Sequence, residues 1–176
     1  IMSTRPDIMP AAFLEELKHL QDSVPELSFE EVREQVESNL GGTLEELFKD
    51  FDEKPIGAAS IGQVHRATTN DGRDIVIKVQ RPNIAQKIRS DLEILYYLAR
   101  LLEATIQEVE LYTPTAIVKE FEKAILSELD FTEEARNIQE FGNNFAECET
   151  VNVPAVIHEL SNARIMALEF VDAKKL

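Results

Sequence analysis

Apolar residues recur along this chain with two different periods, and the period changes in blocks. In "AAFLEELKHL", Phe13, Leu14, Leu17 and Leu20 follow helical spacing behind Pro10, which suits a first helical turn. "SFEE" sets Ser28 three residues before Glu31, a capping-box pattern, and Val32 and Val36 lie on the inner face of the helix it predicts. "GGTLEEL" repeats the device with Thr43 and Glu46, while Gly41 and Gly42 close the preceding helix. At Pro55 the character changes. "GQVHRATT" and "DIVIKVQ" are strand-like, and Asn70–Gly72 between them is a hairpin signal.

From Asn83 the helical period returns, with Ile84, Ile88, Leu92, Leu95, Leu98, Ala99 and Leu102 on one stripe. Leu95, Leu98 and Leu102 are read as core, with an exposed apolar face that touches lipid or a partner as the alternative. "TPTAIVKEFEKAIL" starts a further helix with Thr113 as cap and Pro114 in the first turn, and "FTEEARNIQEFGNNF" another. "VNVPAVIHEL" and "RIMALEFV" then read as two strands joined by a turn at Ser161–Asn162. Arg81 and Pro82 read as a strand end. The order is helices, strand pair, helices, strand pair, which is an α+β fold with a small antiparallel sheet. The division expected is a helical extension over residues 1–52 and a sheet-containing unit over 53–176.

The chain has 176 residues, of which 44% are hydrophobic, enough for a real core. It carries 33 acids against 18 bases, a net charge of −15. That balance argues against a nucleic-acid face, which needs a basic surface, but leaves room for a nucleotide held by one or two local cations. Cys148 is the only cysteine, so no internal disulfide can form, and a reducing setting fits. No apolar run reaches membrane-spanning length, and "IMSTRPDIMP" lacks the apolar core of a signal peptide. His19, His65 and His158 have no ligand-like spacing, so no histidine metal site is expected.

Candidate chemistry begins at "GAASIGQVHRATTNDGRDIVIKVQ". Gly57, Ala59, Gly62 and Val64 fall on the four fixed positions of the glycine-rich loop template of kinases, G-x-G-x-x-G-x-V, with alanine for the middle glycine. A hairpin laid over phosphates needs small side chains so that backbone N–H groups can approach the oxygens. Gly57, Ala58, Ala59, Ser60 and Gly62 meet that need, and Val64 would cover one face of an adenine ring. Lys78 lies 14 residues past Val64, the length of one strand, a turn and a return. Its ammonium could then reach phosphates, and a half-buried lysine calls for a carboxylate beside it.

"STRPDIMP", "LQDSVP", "AASIGQVHRA", "IKVQRP", "SELDFTEEARN" and "IMALEFVDA" resemble, in this order, motifs of the UbiB family. These are atypical kinase-like proteins linked to coenzyme Q and prenyl-lipid metabolism. The resemblance covers essentially the whole chain and implies a protein-kinase-like N-lobe with helical insertions. It implies that Gly57 to Val64, Gln63 included, is the family's alanine-rich nucleotide loop, with Gly57 departing from the usual alanine. It makes Lys78 the phosphate-contacting lysine and Glu134 its helix partner. Glu133 is the alternative partner, and only the motif favours Glu134. Glu128 and Asp130 match the family's Glu-x-Asp motif. Leu168, Glu169 and Val171 resemble the gatekeeper and hinge.

Neither a His-x-Asp catalytic loop nor an Asp-Phe-Gly motif occurs in the chain, and the family's Lys-x-Gly-Gln motif is not in it either. The chain therefore reads as the N-terminal lobe of a longer protein, and by itself is expected to show no useful catalysis and at most weak nucleotide affinity. The resemblance implies ATP and Mg2+ as cofactors of the full-length protein, and lipid- or quinone-pathway proteins as partners. It implies a location in the cytoplasm or on the cytoplasmic side of a membrane. A scaffold that senses nucleotide without catalysis is the second reading, motivated by Ala59 in the loop.

Overall fold

The computed structural model describes residues 25–105 and 113–172. The helix expected behind Pro10 lies outside them. The described elements run α1 (Phe29–Leu40), α2 (Leu44–Leu47), β1 (Phe48–Phe51), β2 (Gly57–Ala58), β3 (Gly62–Thr69), β4 (Asp74–Gln80), α3 (Ile84–Thr105), α4 (Pro114–Glu128), α5 (Phe131–Asn144) and β5 (Ile165–Glu169). The sheet is antiparallel throughout, in the order β1-β3-β4-β5, with β2 pairing the other end of β3. The fold is the expected mixture of helices and a small antiparallel sheet.

Strand alternation separates two faces. One presents Ile75, Ile77 and Val79 of β4 with Ile165 and Ala167 of β5, all fully buried. Val32 and Val36 of α1, Leu44 of α2 and Phe48 of β1 pack against them as one core. Both predicted capping boxes form: Glu31 N–H donates to Ser28 Oγ and Ser28 N–H to Glu31, and Thr43 and Glu46 reciprocate in the same way. Gly41 ends α1 in the left-handed region at φ 78°, a conformation that costs glycine no Cβ clash.

Four elements differ from the sequence expectation, the first being β1, a strand paired with β3 inside the stretch expected to be helical. Thr113 occupies the cap position of α4 but makes no side-chain cap bond. The N–H and hydroxyl of Thr115 instead donate to Glu103 Oε1 of α3, at 2.8 and 2.7 Å. "VNVPAVIHEL" forms no strand. It makes a single bridge, Val156 to Leu168, and then a 3-10 turn over His158–Leu160. Its Pro154 has no N–H to give to a ladder. The stripe on α3 is only partly core: Leu92 and Ala99 are buried and Ile84 and Ile88 pack against the Phe131 cluster, but Leu95, Leu98 and Leu102 are 38%, 47% and 49% exposed. α3 packs on α4, which takes one side of the helix and leaves the other open.

A buried polar chain fastens the segment before α1 to the sheet. His65 Nδ1 lies 2.8 Å from the Asp52 carbonyl, and its Nε2 lies 2.9 Å from Gln63 Nε2. Leu27 N–H donates to Gln63 Oε1 at 2.8 Å. Since Asp52 O can only accept, Nδ1 carries the proton and Nε2 accepts from the Gln63 amide. This works only for neutral imidazole, and burial pushes the His65 pKa below its ordinary value.

A lowered folded-state value means that the unfolded chain binds more protons in the interval below the ordinary value of about 6.5. The stability is present above that value and is lost as pH falls through the depressed one. We expect the urea midpoint to drop as pH is lowered from about 7 towards 5, and the slope to flatten in His65→Gln. A wild-type midpoint that does not change over this window would exclude His65 as the titrating group.

Candidate functional site

The other face of the sheet carries Val64 and Arg66 of β3, Val76 and Lys78 of β4, and Met166 and Leu168 of β5. Lys78 stands opposite Val64 on one side and Met166 on the other. α5 covers this face at the Lys78 end. Its first residue, Phe131, is fully buried among Ile61, Met166 and Ala135, and its N–H donates to the Ala163 carbonyl at 3.1 Å. Lys78 Nζ sits 4.5 Å above the centre of the Phe131 ring. A cation over an aromatic face gains electrostatically, and the ring fixes where the ammonium rests.

Of the two candidate glutamates, Glu134 is the one beside the lysine. Its Oε2 lies 2.5 Å from Lys78 Nζ, whose side chain is only 19% exposed. Glu133 pairs with Arg136 one turn on. Asp130 sets the start of α5: its Oδ1 accepts from Thr132 N–H at 2.9 Å and from the Thr132 hydroxyl at 2.6 Å. A capping aspartate fixes the helix phase, and Glu134 is four residues later on the same side. Glu128, at the end of α4, joins Lys78, Glu133, Glu134, Ile61 and Asn137 around an open cleft of about 320 Å³. Asp130 is not among the residues lining that cleft.

The loop that contributes Ile61 to the cleft is a tight hairpin. Gly57 pairs with Val64 and Ala58 with Gln63, and Ala59 N–H donates to the Gly62 carbonyl at 2.8 Å. Gly57, Ala58, Ala59 and Ser60 are exposed, and a Cβ on Gly57 would meet nothing within 4 Å. Gly62 has a different reason to be glycine. A Cβ there would stand 2.8 Å from the Val79 carbonyl of the neighbouring strand. The Gln63 side chain points to the opposite, buried face, where Leu27 and His65 engage it.

At the other end of β5, Glu169 N–H donates to the Ala155 carbonyl at 2.9 Å, and Phe170 N–H to the Asp74 carbonyl at 3.0 Å. Glu169 therefore faces the 155–157 segment, and Val171 follows it partly exposed. Arg66 lies 4.1 Å over the Phe170 ring and pairs with both oxygens of Asp74. Between this end and Lys78 runs a half-buried apolar strip of Val64, Val76 and Leu168.

Three participants are absent from the sequence reading. Val76 shares a face with Lys78, two residues away on the same strand, so strand alternation alone places it. Phe131 was visible as a helix start but gave no sign of lying beneath the lysine. Arg81, read as a strand end, donates from Nε to the Ala59 carbonyl at 3.1 Å and from a terminal nitrogen to the Pro25 carbonyl at 2.8 Å.

Residues 19–176 match the model of the ABC1 atypical kinase-like domain, and the chain belongs to that family. It is 42% identical over 170 residues to a probable protein kinase UbiB of Aliivibrio fischeri (strain MJ11), covering 96% of this chain and 31% of that protein. A probable protein kinase UbiB of Vibrio cholerae is 38% identical over the same length and shares. The chain thus spans about a third of the curated relatives it matches. Among solved structures it is similar to the Rv3197–erythromycin complex from Mycobacterium tuberculosis. The TM-score is 0.70 at 26% identity, covering 98% of this chain and 43% of that one.

The two loop glycines separate experimentally. Gly62→Ala forces β3 and β4 apart and should cost about 1–3 kcal/mol in urea unfolding. Gly57→Ala meets open space and should stay within about 0.5 kcal/mol of the parent. Equal losses at both positions would show that the Val79 carbonyl does not set the requirement.

Proposed function

We propose that this chain is the nucleotide-binding N-terminal lobe of an ATP-dependent kinase-like enzyme that acts in quinone or isoprenoid-lipid metabolism. The observation that carries the reading is the Lys78–Glu134 pair in a cleft that the small-residue hairpin reaches through Ile61. An ammonium held by one carboxylate and an aromatic face is oriented before a ligand arrives, so less ordering remains for binding. Phosphates would lie between Lys78 and the exposed Gly57–Ser60 tip, where small side chains let backbone N–H groups approach. Adenine would lie against Val64, Val76 and Leu168, with its polar edge towards the backbone of Glu169 and Val171. Because Glu169 N–H already serves Ala155, the donor for that edge falls to Val171.

Magnesium would come with the nucleotide and neutralise charge on its phosphate oxygens. Among the described residues no group of three His, Cys, Asp or Glu side chains is placed to hold a metal ion. No described helix is long and apolar enough to cross a membrane. Glu128 lines the cleft and would meet whatever accepts the transferred group, while Asp130 acts one step back, through the start of α5. One observation favours the second reading, a nucleotide-sensing scaffold: Ala59 N–H is taken up by Gly62 inside the hairpin, which leaves one fewer donor for phosphate.

Titration calorimetry with magnesium-ATP decides between them, on this chain and on one extended to the length of its relatives. We expect the extended protein to bind and to turn over ATP, and Lys78→Ala to weaken binding at least about tenfold, the scale of one charge-assisted contact. Binding without turnover in the extended protein would favour the scaffold. No binding by either would remove the nucleotide reading.

A further inference from the structure

A second cavity, of about 460 Å³, opens between the end of β4 and the start of α3. Arg81, Arg89 and Arg164 line it, together with Gln35, Gln80 and Gln86, and no carboxylate does so among the described residues. In a chain with 33 acids against 18 bases this is an unusual local excess of positive charge. Arg81 is half-buried and Arg89 and Arg164 are exposed, so solvent screens their repulsion, while an anion between them is attracted by all three. All three are arginines, whose planar forks match carboxylate and phosphate oxygens better than a lysine point charge does.

The backbone adds to the same field. α3 is 22 residues long, and its first turn lines the cavity. α1, α2 and α5 each begin with two acids and a capping hydroxyl or carboxylate, whereas α3, like α4, has no acid in its first turn. Its positive end is therefore not offset by its own sequence. The turn that delivers it passes through Asn83 at φ 58°, which brings Arg81 and Ile84 to the same rim. Arg81 is fixed in place by its bonds to Ala59 and Pro25, and a guanidinium has five N–H groups, so donors remain. The acid that feels its charge, Glu31, is itself held by the Ser28 N–H and hydroxyl.

We propose that this cavity binds a phosphate-bearing dianion, at a site separate from the Lys78 cleft. Three guanidinium groups and a helix N-terminus suit two negative charges rather than one, and the space exceeds what a lone phosphate fills, so a phosphomonoester or diphosphate on a larger body fits. The source is either a soluble phosphate or a lipid headgroup.

The test titrates the 176-residue chain with pyrophosphate at low ionic strength by calorimetry. In parallel it measures co-sedimentation with neutral vesicles and with vesicles containing phosphatidic acid. The variants are Arg164→Gln, Arg89→Gln with Arg164→Gln, and Lys78→Ala. We expect saturable binding that weakens at least about tenfold in the double variant, as for two lost charged contacts, and persists in Lys78→Ala. Arginine-dependent binding to the acidic vesicles but not to pyrophosphate supports the site and assigns a headgroup. The proposal is overturned by no saturable binding to either probe, by binding unchanged in the double variant, or by binding lost in Lys78→Ala. ATP binding by the extended protein is read at Lys78, so either site can fail without the other.

Discussion

One buried aromatic ring, Phe131, fixes the relation between the sheet, the loop and the candidate site. It is the first residue of α5 and has no exposed surface. Its ring supports the Lys78 ammonium, its edge approaches Gly62, and its neighbours Ile61 and Met166 come from the loop and from β5. Removing so large a side chain from a packed interior costs roughly 3–5 kcal/mol. The more specific consequence is positional. With the ring gone, α5 keeps its backbone bond to Ala163 and the packing of Ala135 but loses the support that sets the height at which Glu134 meets Lys78, and the loop loses the surface that Ile61 rests on.

The sheet divides its labour between its faces. The face towards α1 is almost wholly apolar, and its one polar chain, Asp52 to His65 to Gln63 to Leu27, is complete. No buried side-chain nitrogen or oxygen among the described residues lacks a partner. Satisfied buried polar groups specify one arrangement, because any shift would leave a donor or acceptor dry. The segment before α1 is therefore held in register with β3, the strand that carries the loop. On the opposite face half-buried side chains and an ion pair replace the core.

Much of this was legible in the sequence. The capping boxes, the Asn70–Gly72 hairpin and the turn at Asn162 depend on local chemistry, which a short stretch contains in full. Asn162, for instance, accepts the N–H groups of Arg164 and Ile165. What was missed depends on partners distant in sequence. Leu44, Leu47, Phe48 and Phe51 have helical spacing, yet the chain is extended from Phe48, because β3 offers a ladder and a bulge turns both phenylalanines towards the core. The α3 stripe looked like core because periodicity shows an apolar face but not whether anything covers it. Gly62 looked like a phosphate-loop glycine, and strand pairing gives it a second requirement that no spacing rule contains.

Charge sets what the candidate cleft can do alone. Glu128, Glu133 and Glu134 line it against a single lysine, and the only carboxylate among them paired outside the cleft is Glu133, with Arg136. A polyphosphate entering such a space meets more negative than positive groups, so backbone N–H donors from the loop cannot by themselves offset the repulsion. Cations must arrive with the ligand or from groups outside residues 25–172. The pairing of Lys78 with Glu134 then has a clear physical sense. It holds the ammonium above Phe131 at a fixed height. A ligand phosphate can share that ammonium without displacing the glutamate, because –NH3+ has three donors and no preferred plane.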